Sequence, residues 1–185
     1  MTYGTMSGGY SGFAKLLHWL VAICVLTTIP VAFWMNNAAP GPLQDGLYNF
    51  HKSLGVLILI LIVVRIIRRW VGGSPAPEAT VVPWQRAVSS AVHGSLYVLL
   101  LAMPIVGYLA NSAYGASTPF FGLFTIPPLI GKNEDLANQL FLYHRWVGWA
   151  VAALAALHIA AALQHYFIVK DGVLQRMLPR ALGGV

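Results

Sequence analysis

The residues able to do chemistry in this chain are histidines set in apolar sequence. There are six, and His144 and His158 lie fourteen residues apart on one long apolar segment. Fourteen residues at about 100° each make about 1400°, roughly 40° short of four full turns, so on a helix the two rings project from nearly one face. At about 1.5 Å per residue they stand roughly 21 Å apart along the axis, most of the thickness of a hydrocarbon core. That geometry suits two stacked cofactors, one toward each membrane surface, provided other segments bring opposing histidines to matching depths. His18 and His51 are the candidates.

The elements that must position these rings follow from composition. Charged residues are 9% and apolar residues 58% of the 185, and mean hydropathy is +0.70. Soluble domains carry about 25% charged residues. The chain therefore reads as an all-α integral membrane protein, one membrane domain with no room for a large soluble catalytic one. Apolar stretches at about 13–35, 48–70, 88–110 and 140–169 predict a bundle of four transmembrane helices. The first is too long, and too poorly followed by a cleavage site, to be a removable signal peptide. Pro104 predicts a kink in the third. Between the third and fourth lies a polar and aromatic outer loop, 111–139. Cys24 is the single cysteine, which excludes an internal disulfide and a Cys-x-x-Cys-His attachment.

Loop charge sets the orientation. Arg68, Arg69 and Arg86 flank the connection between the second and third segments, and Lys170, Arg176 and Arg180 follow the fourth. Of the other two connections, only the outer loop carries a cation, Lys132, far from the segment ends. Both termini and the central connection are thus expected on the cytoplasmic side. The tail 171–185 is expected to lie on the inner leaflet. The net charge of +6 reflects this bias. No nucleic-acid partner is expected, because the basic residues flank apolar spans and form no separate patch.

Orientation then gives each histidine a depth. His51 and His144 open their segments at the outer face, His18 lies near the cytoplasmic start of the first, and His158 lies deep in the fourth. The simplest matching is an outer pair, His51 with His144, and an inner pair, His18 with His158. A lone intramembrane histidine can simply hydrogen-bond a neighbouring helix. Four at paired depths point to cofactor ligation. Zinc would want four converging N or S donors, and no cysteine-rich or acidic cluster accompanies these rings. A haem with two axial imidazoles fits the count. His165, seven residues beyond His158, is about 20° from its phase, so spacing leaves the choice between them open. His93, at the cytoplasmic start of the third segment, competes as a further ligand candidate but reads rather as structural or quinone-proximal.

His51-Lys-Ser-Leu-Gly55 and His144-Arg-Trp-Val-Gly148 share the pattern His-basic-x-x-Gly. Each glycine lies one turn from its ring, where a missing side chain lets a flat macrocycle approach the backbone or lets two helices pack closely. Arg65 stands fourteen residues after His51 and so shares its face near the inner site. A haem propionate would supply its counter-charge, unless it snorkels to the headgroups with Arg68 and Arg69. Lys52 and Arg145, beside the outer ligands, would hold propionates, anchor at the interface, or steer an anionic donor.

Together, Lys15-Leu-Leu-His18-Trp19, His51 to Gly55, Ala102-Met-Pro104-Ile-Val-Gly107, Leu157-His158-Ile-Ala-Ala-Ala-Leu-Gln-His165-Tyr-Phe, Lys170-Asp171 and Met177-Leu-Pro179-Arg180 resemble the bacterial cytochrome b561 family over nearly the whole chain. The resemblance implies a four-helix bundle in the bacterial inner membrane holding two b haems, with His18, His51, His144 and His158 at the ligand positions. It is this resemblance, not spacing, that prefers His158 to His165. It further implies an oxidoreductase moving single electrons between a small periplasmic donor, superoxide among the candidates, and membrane ubiquinone. The alternative is a haem anchor subunit that links a partner dehydrogenase or hydrogenase to the quinone pool. A haem-free histidine transporter would be colourless, and no acidic residue inside an apolar segment supplies it with a relay.

Overall fold

A computed structural model describes residues 8–184. Four helices, α1 (Gly12–Asn37), α2 (Pro42–Gly72), α3 (Pro83–Tyr114) and α4 (Glu134–Gln164), account for most of them. Each belongs to a helical stretch long and apolar enough to cross a membrane. The helices outrun the apolar stretches because hydropathy marks only the part in hydrocarbon. Gln44, Asp45 and Asn49 at the start of α2 are helical but polar. Their ends are chemically defined. The Ser11 hydroxyl accepts from Ala14 N–H at 3.3 Å, and Asn133 Oδ1 accepts from Leu136 N–H at 3.0 Å. Pro42 and Pro83 open α2 and α3, where a missing N–H costs nothing. Glu134 and Asp135 set negative charge on the positive end of the α4 dipole. Pro104 lies within α3, which continues to Tyr114 and ends on Gly115 at φ 89°.

Backbone packing follows chain order, α1 on α2, α2 on α3 and α3 on α4, while α4 makes no close backbone seam with α1 or α2. Side chains fill the middle of the bundle instead. Val21, Cys24 and Val25 from α1, Leu54 and Ile58 from α2 and Val151 from α4 form one buried cluster. Val151 is seven residues from both His144 and His158, so this apolar layer lies midway between the two histidine levels. Outward, Leu20, Ile23, Val98, Ile105 and Leu157 are exposed, as a lipid solvent requires.

The two ends of the bundle are closed differently. Composition alone predicts a polar connection over 111–139. The chain instead folds there into an antiparallel hairpin, β1 (Thr118–Phe120) on β2 (Phe124–Ile126). Its turn places Phe121 at φ 48° and Gly122 at φ 73°. The hairpin docks on α2, where Ser53 Oγ accepts from Phe121 N–H at 2.9 Å and lies 3.1 Å from the Pro119 carbonyl.

At the other end the tail bonds back onto the bundle. Beyond α4 the helix widens into a π turn (His165–Val169), Lys170 reverses the chain at φ 57°, and residues 171–184 fold back as a strap. Lys15 Nζ donates to the Leu178 carbonyl at 2.9 Å and Trp19 Nε1 to the Met177 carbonyl at 3.0 Å. Arg176, buried, donates through Nη2 to the Ala76 carbonyl at 2.7 Å and lies 3.8 Å from Glu78. Leaving that carbonyl and Glu78 without their cation is expected to cost about 1–3 kcal/mol. Arg176→Ala should therefore lower the unfolding temperature in detergent and expose the strap to limited proteolysis. An unchanged cleavage pattern would show that the strap is held without Arg176.

Candidate functional site

Four of the predicted site histidines meet in two pairs. At the hairpin end, His51 of α2 faces His144 of α4 with ring centroids 6.0 Å apart. At the strap end, His18 of α1 faces His158 of α4 at 6.2 Å. A metal–imidazole bond is about 2.0–2.1 Å long. With about 1.2 Å from nitrogen to ring centre on each side, one metal between two rings separates their centroids by about 6.4 Å. Both pairs come close to that spacing. Both also bridge helices whose backbones make no close seam, α2 with α4 and α1 with α4. Among the described residues no group of three or more His, Cys, Asp or Glu is assembled to hold a bare ion. Two opposed imidazoles suit instead a planar macrocycle that brings its own four equatorial nitrogens.

Local surroundings at the hairpin end fit such a group. His51 Nδ1 and His144 Nδ1 are both buried, and among the described residues no well-formed hydrogen bond reaches either. A Cβ added at Gly55 would meet no atom within 4 Å, and one at Gly148 only Met103 Cε at 3.6 Å. Gly107 of α3 was outside the expected site, yet it forms its wall. A Cβ there would stand 2.8 Å from His144 Cε1 and 3.1 Å from Nδ1. Lys52 is partly buried and Arg145 exposed at the rim. Lys132, a further candidate for steering anions, is engaged by Glu134 at 2.9 Å.

The strap end holds a third histidine. His93 of α3 lies 5.1 Å from His158, centroid to centroid, with Ser89 Oγ 3.3 Å from its Nδ1. At 5.1 Å these two rings stand closer than the separation of about 6.4 Å that one metal between them would set, and their helices are packed neighbours. His165 is engaged elsewhere, its Nδ1 2.7 Å from Asp171 Oδ2 in the strap. Thr80 Oγ1 donates to the same carboxylate oxygen at 3.2 Å. Arg65 turns toward α3. Its Nε donates to Tyr97 Oη at 2.8 Å and its Nη1 is buried with no hydrogen-bond partner among the described residues. Tyr97 stands one turn from His93 on α3, which puts the guanidinium at the strap-end level. Among the described residues no carboxylate forms an ion pair with it.

The sequence profile of prokaryotic cytochrome b561 matches residues 9–180. The chain belongs to that family. Cytochrome b561 homolog 2 of Escherichia coli (strain K12) is 34% identical, over 98% of this chain and 97% of the relative. The probable superoxide oxidase CybB of Yersinia pestis is 30% identical, over 94% and 98%. The probable Ni/Fe-hydrogenase 1 B-type cytochrome subunit of Escherichia coli (strain K12) is 19% identical, over 89% and 85%. As a prokaryotic cytochrome b561, the protein is a multi-pass membrane protein that binds b-type haem and transfers electrons.

In this cytochrome b561 family member, sequence spacing pointed to the histidines because they lie on long regular helices. Gly107 and Tyr97 act across helices and Ser53 on the hairpin, and nothing in their neighbours along the chain signals it. For Gly107 the one available sign was its place in Ala102-Met-Pro104-Ile-Val-Gly107, which carries family resemblance but no stated role.

Proposed function

We propose that this cytochrome b561 holds two b haems, one between His51 and His144 and one between His18 and His158. It passes single electrons between a small donor at the hairpin end and ubiquinone in the membrane. The reading is carried by one observation: two imidazole pairs, 6.0 and 6.2 Å across, each joining helices whose backbones make no close seam. Haem with both axial positions filled supplies outer-sphere one-electron transfer and offers no open iron site to oxygen.

The residues divide the remaining work. Gly55, Gly148 and Gly107 leave room at the hairpin-end site, and Lys52 and Arg145 supply positive charge near its rim for propionates or an anionic donor. Arg65 supplies charge at the strap-end site. Quinone reduction needs protons as well as electrons, and His93 and the His165–Asp171 pair are titratable groups at that end. By the positive-inside rule the strap end faces the cytoplasm, which places the donor side in the periplasm of a bacterial inner membrane. Superoxide suits the remaining cations, Lys52 and Arg145, and the similarity to a probable superoxide oxidase supports it.

The deciding measurement is the absorption spectrum of the purified protein, oxidised and reduced, with haem counted per chain. Two low-spin b haems are expected, and a folded, colourless preparation would end the reading. The similarity to a hydrogenase cytochrome subunit favours a second reading, an anchor linking a partner enzyme to quinone. Superoxide-dependent quinone reduction by the isolated protein, slowing as ionic strength rises, supports the first reading. A protein that co-purifies with a partner and is inert without it supports the second.

A further inference from the structure

We propose that Tyr97 is a positioning residue whose hydroxyl holds the Arg65 guanidinium toward the strap-end site. The proposal rests on the haem reading above. Arg65 leaves α2 and Tyr97 leaves α3, and the bond between them, Nε to Oη at 2.8 Å, is made across the interhelical seam. A guanidinium is a rigid planar fork, so fixing Nε also fixes where the two Nη groups point. The Tyr97 ring grips the same group by its face, with Arg65 Cζ 5.6 Å from the ring centroid. Arg69, one helical turn further along α2, approaches the same ring at 5.7 Å. One phenol thus interacts with two like charges on one helix face and holds Arg65 by a directional bond.

The consequence lies at Nη1. It is buried and has no hydrogen-bond partner among the described residues, and Tyr97, which Nε meets, stands one turn from His93 on α3, at the level of the strap-end pair. A buried guanidinium donor with no acceptor is costly unless an anionic oxygen meets it. A propionate of the strap-end haem has that chemistry. Positive charge held there favours the reduced iron, the less positive of the two states, and so raises that haem's potential relative to a protein in which the guanidinium has swung away. Tyr97 would act through Arg65 and touch neither iron nor ligand.

The test is an optical redox titration of the purified holoprotein, which separates the potentials of the two haems, alongside haem content. Tyr97→Phe keeps the ring and removes the hydroxyl. It is expected to retain both haems and to lower the midpoint potential of the strap-end haem while leaving the other unchanged. Arg65→Leu should lower the same potential further. In the Arg65→Leu background, Tyr97→Phe should add nothing. An unchanged potential in Tyr97→Phe overturns the proposal. So does a full additional shift in the double variant, which would mean that Tyr97 acts on the haem directly. Loss of haem from Tyr97→Phe but not from Arg65→Leu overturns it too, since a residue acting through Arg65 cannot cost more than removing Arg65. A wild-type protein without haem would refute the haem reading itself, whereas two haems with no Tyr97 effect would refute this inference alone.

Discussion

Replacing His158 with alanine is expected to halve the haem content of the purified protein, removing the strap-end haem and sparing the other. The asymmetry follows from how α4 is built. It is one continuous helix carrying His144 and His158, with Val151 and its buried neighbours packed between the two levels. Losing a ring at one end leaves that layer, and the pair His51 with His144, in place. The surviving haem is therefore an internal control for folding, and its low-spin spectrum should be that of the wild type. His18→Ala should give the same product, because one remaining imidazole cannot fill both axial positions. His165→Ala and His93→Ala should each keep both haems. His165 is committed to Asp171 at 2.7 Å, and His93 stands 5.1 Å from His158, short of the separation of about 6.4 Å that two rings sharing one metal would need. Should His165→Ala remove a haem that His158→Ala retains, the assignment of the strap-end pair is wrong.

Gly107→Val is expected to damage the opposite site. An ordinary carbon contact is about 3.5–4.0 Å, and the first atom of any side chain at position 107 would lie 2.8 Å from His144 Cε1. Since α3 and α4 are packed together, relief must come from the ring. Overpacking of this kind costs about 1–3 kcal/mol, and a displaced imidazole costs the haem a ligand. The hairpin-end haem should turn high-spin or be lost, while the strap-end haem keeps its spectrum. Gly107→Ala should show a weaker form of the same change. Gly148→Ala is a useful contrast, because its Cβ would meet only Met103 Cε, at 3.6 Å. If Gly107→Val binds both haems with native spectra, His144 is not held against α3 in the loaded protein.

What sequence reveals here is what repeats along a helix. Fourteen residues between His144 and His158 translate directly into a shared face, because α4 is regular over that interval. The same arithmetic cannot choose between His158 and His165, which differ by about 20° in phase. The feature that separates them is irregular: a π turn begins at His165, the chain reverses at Lys170, and Asp171 comes back onto the ring. Strands of three residues, such as β1 and β2, are equally hidden, since the hairpin owes its place to Ser53 on a distant helix. Arg65 was legible as a costly charge. Its partner Tyr97 was not, because a tyrosine in an apolar helix needs no explanation until its hydroxyl is seen to accept a bond.

The strap also has a place in time. It lies C-terminal to all four helices, so the ribosome makes it after them. Its partners are Tyr10 and Lys15 at the start of the described chain, Trp19 one turn further, and Ala76 and Glu78 between α2 and α3. None of these bonds can form until helices inserted at different moments of translation have found each other. Docking of the strap is thus a late step in biogenesis, and protection of residues 171–184 from protease in a pulse-chase experiment would date the completion of the bundle.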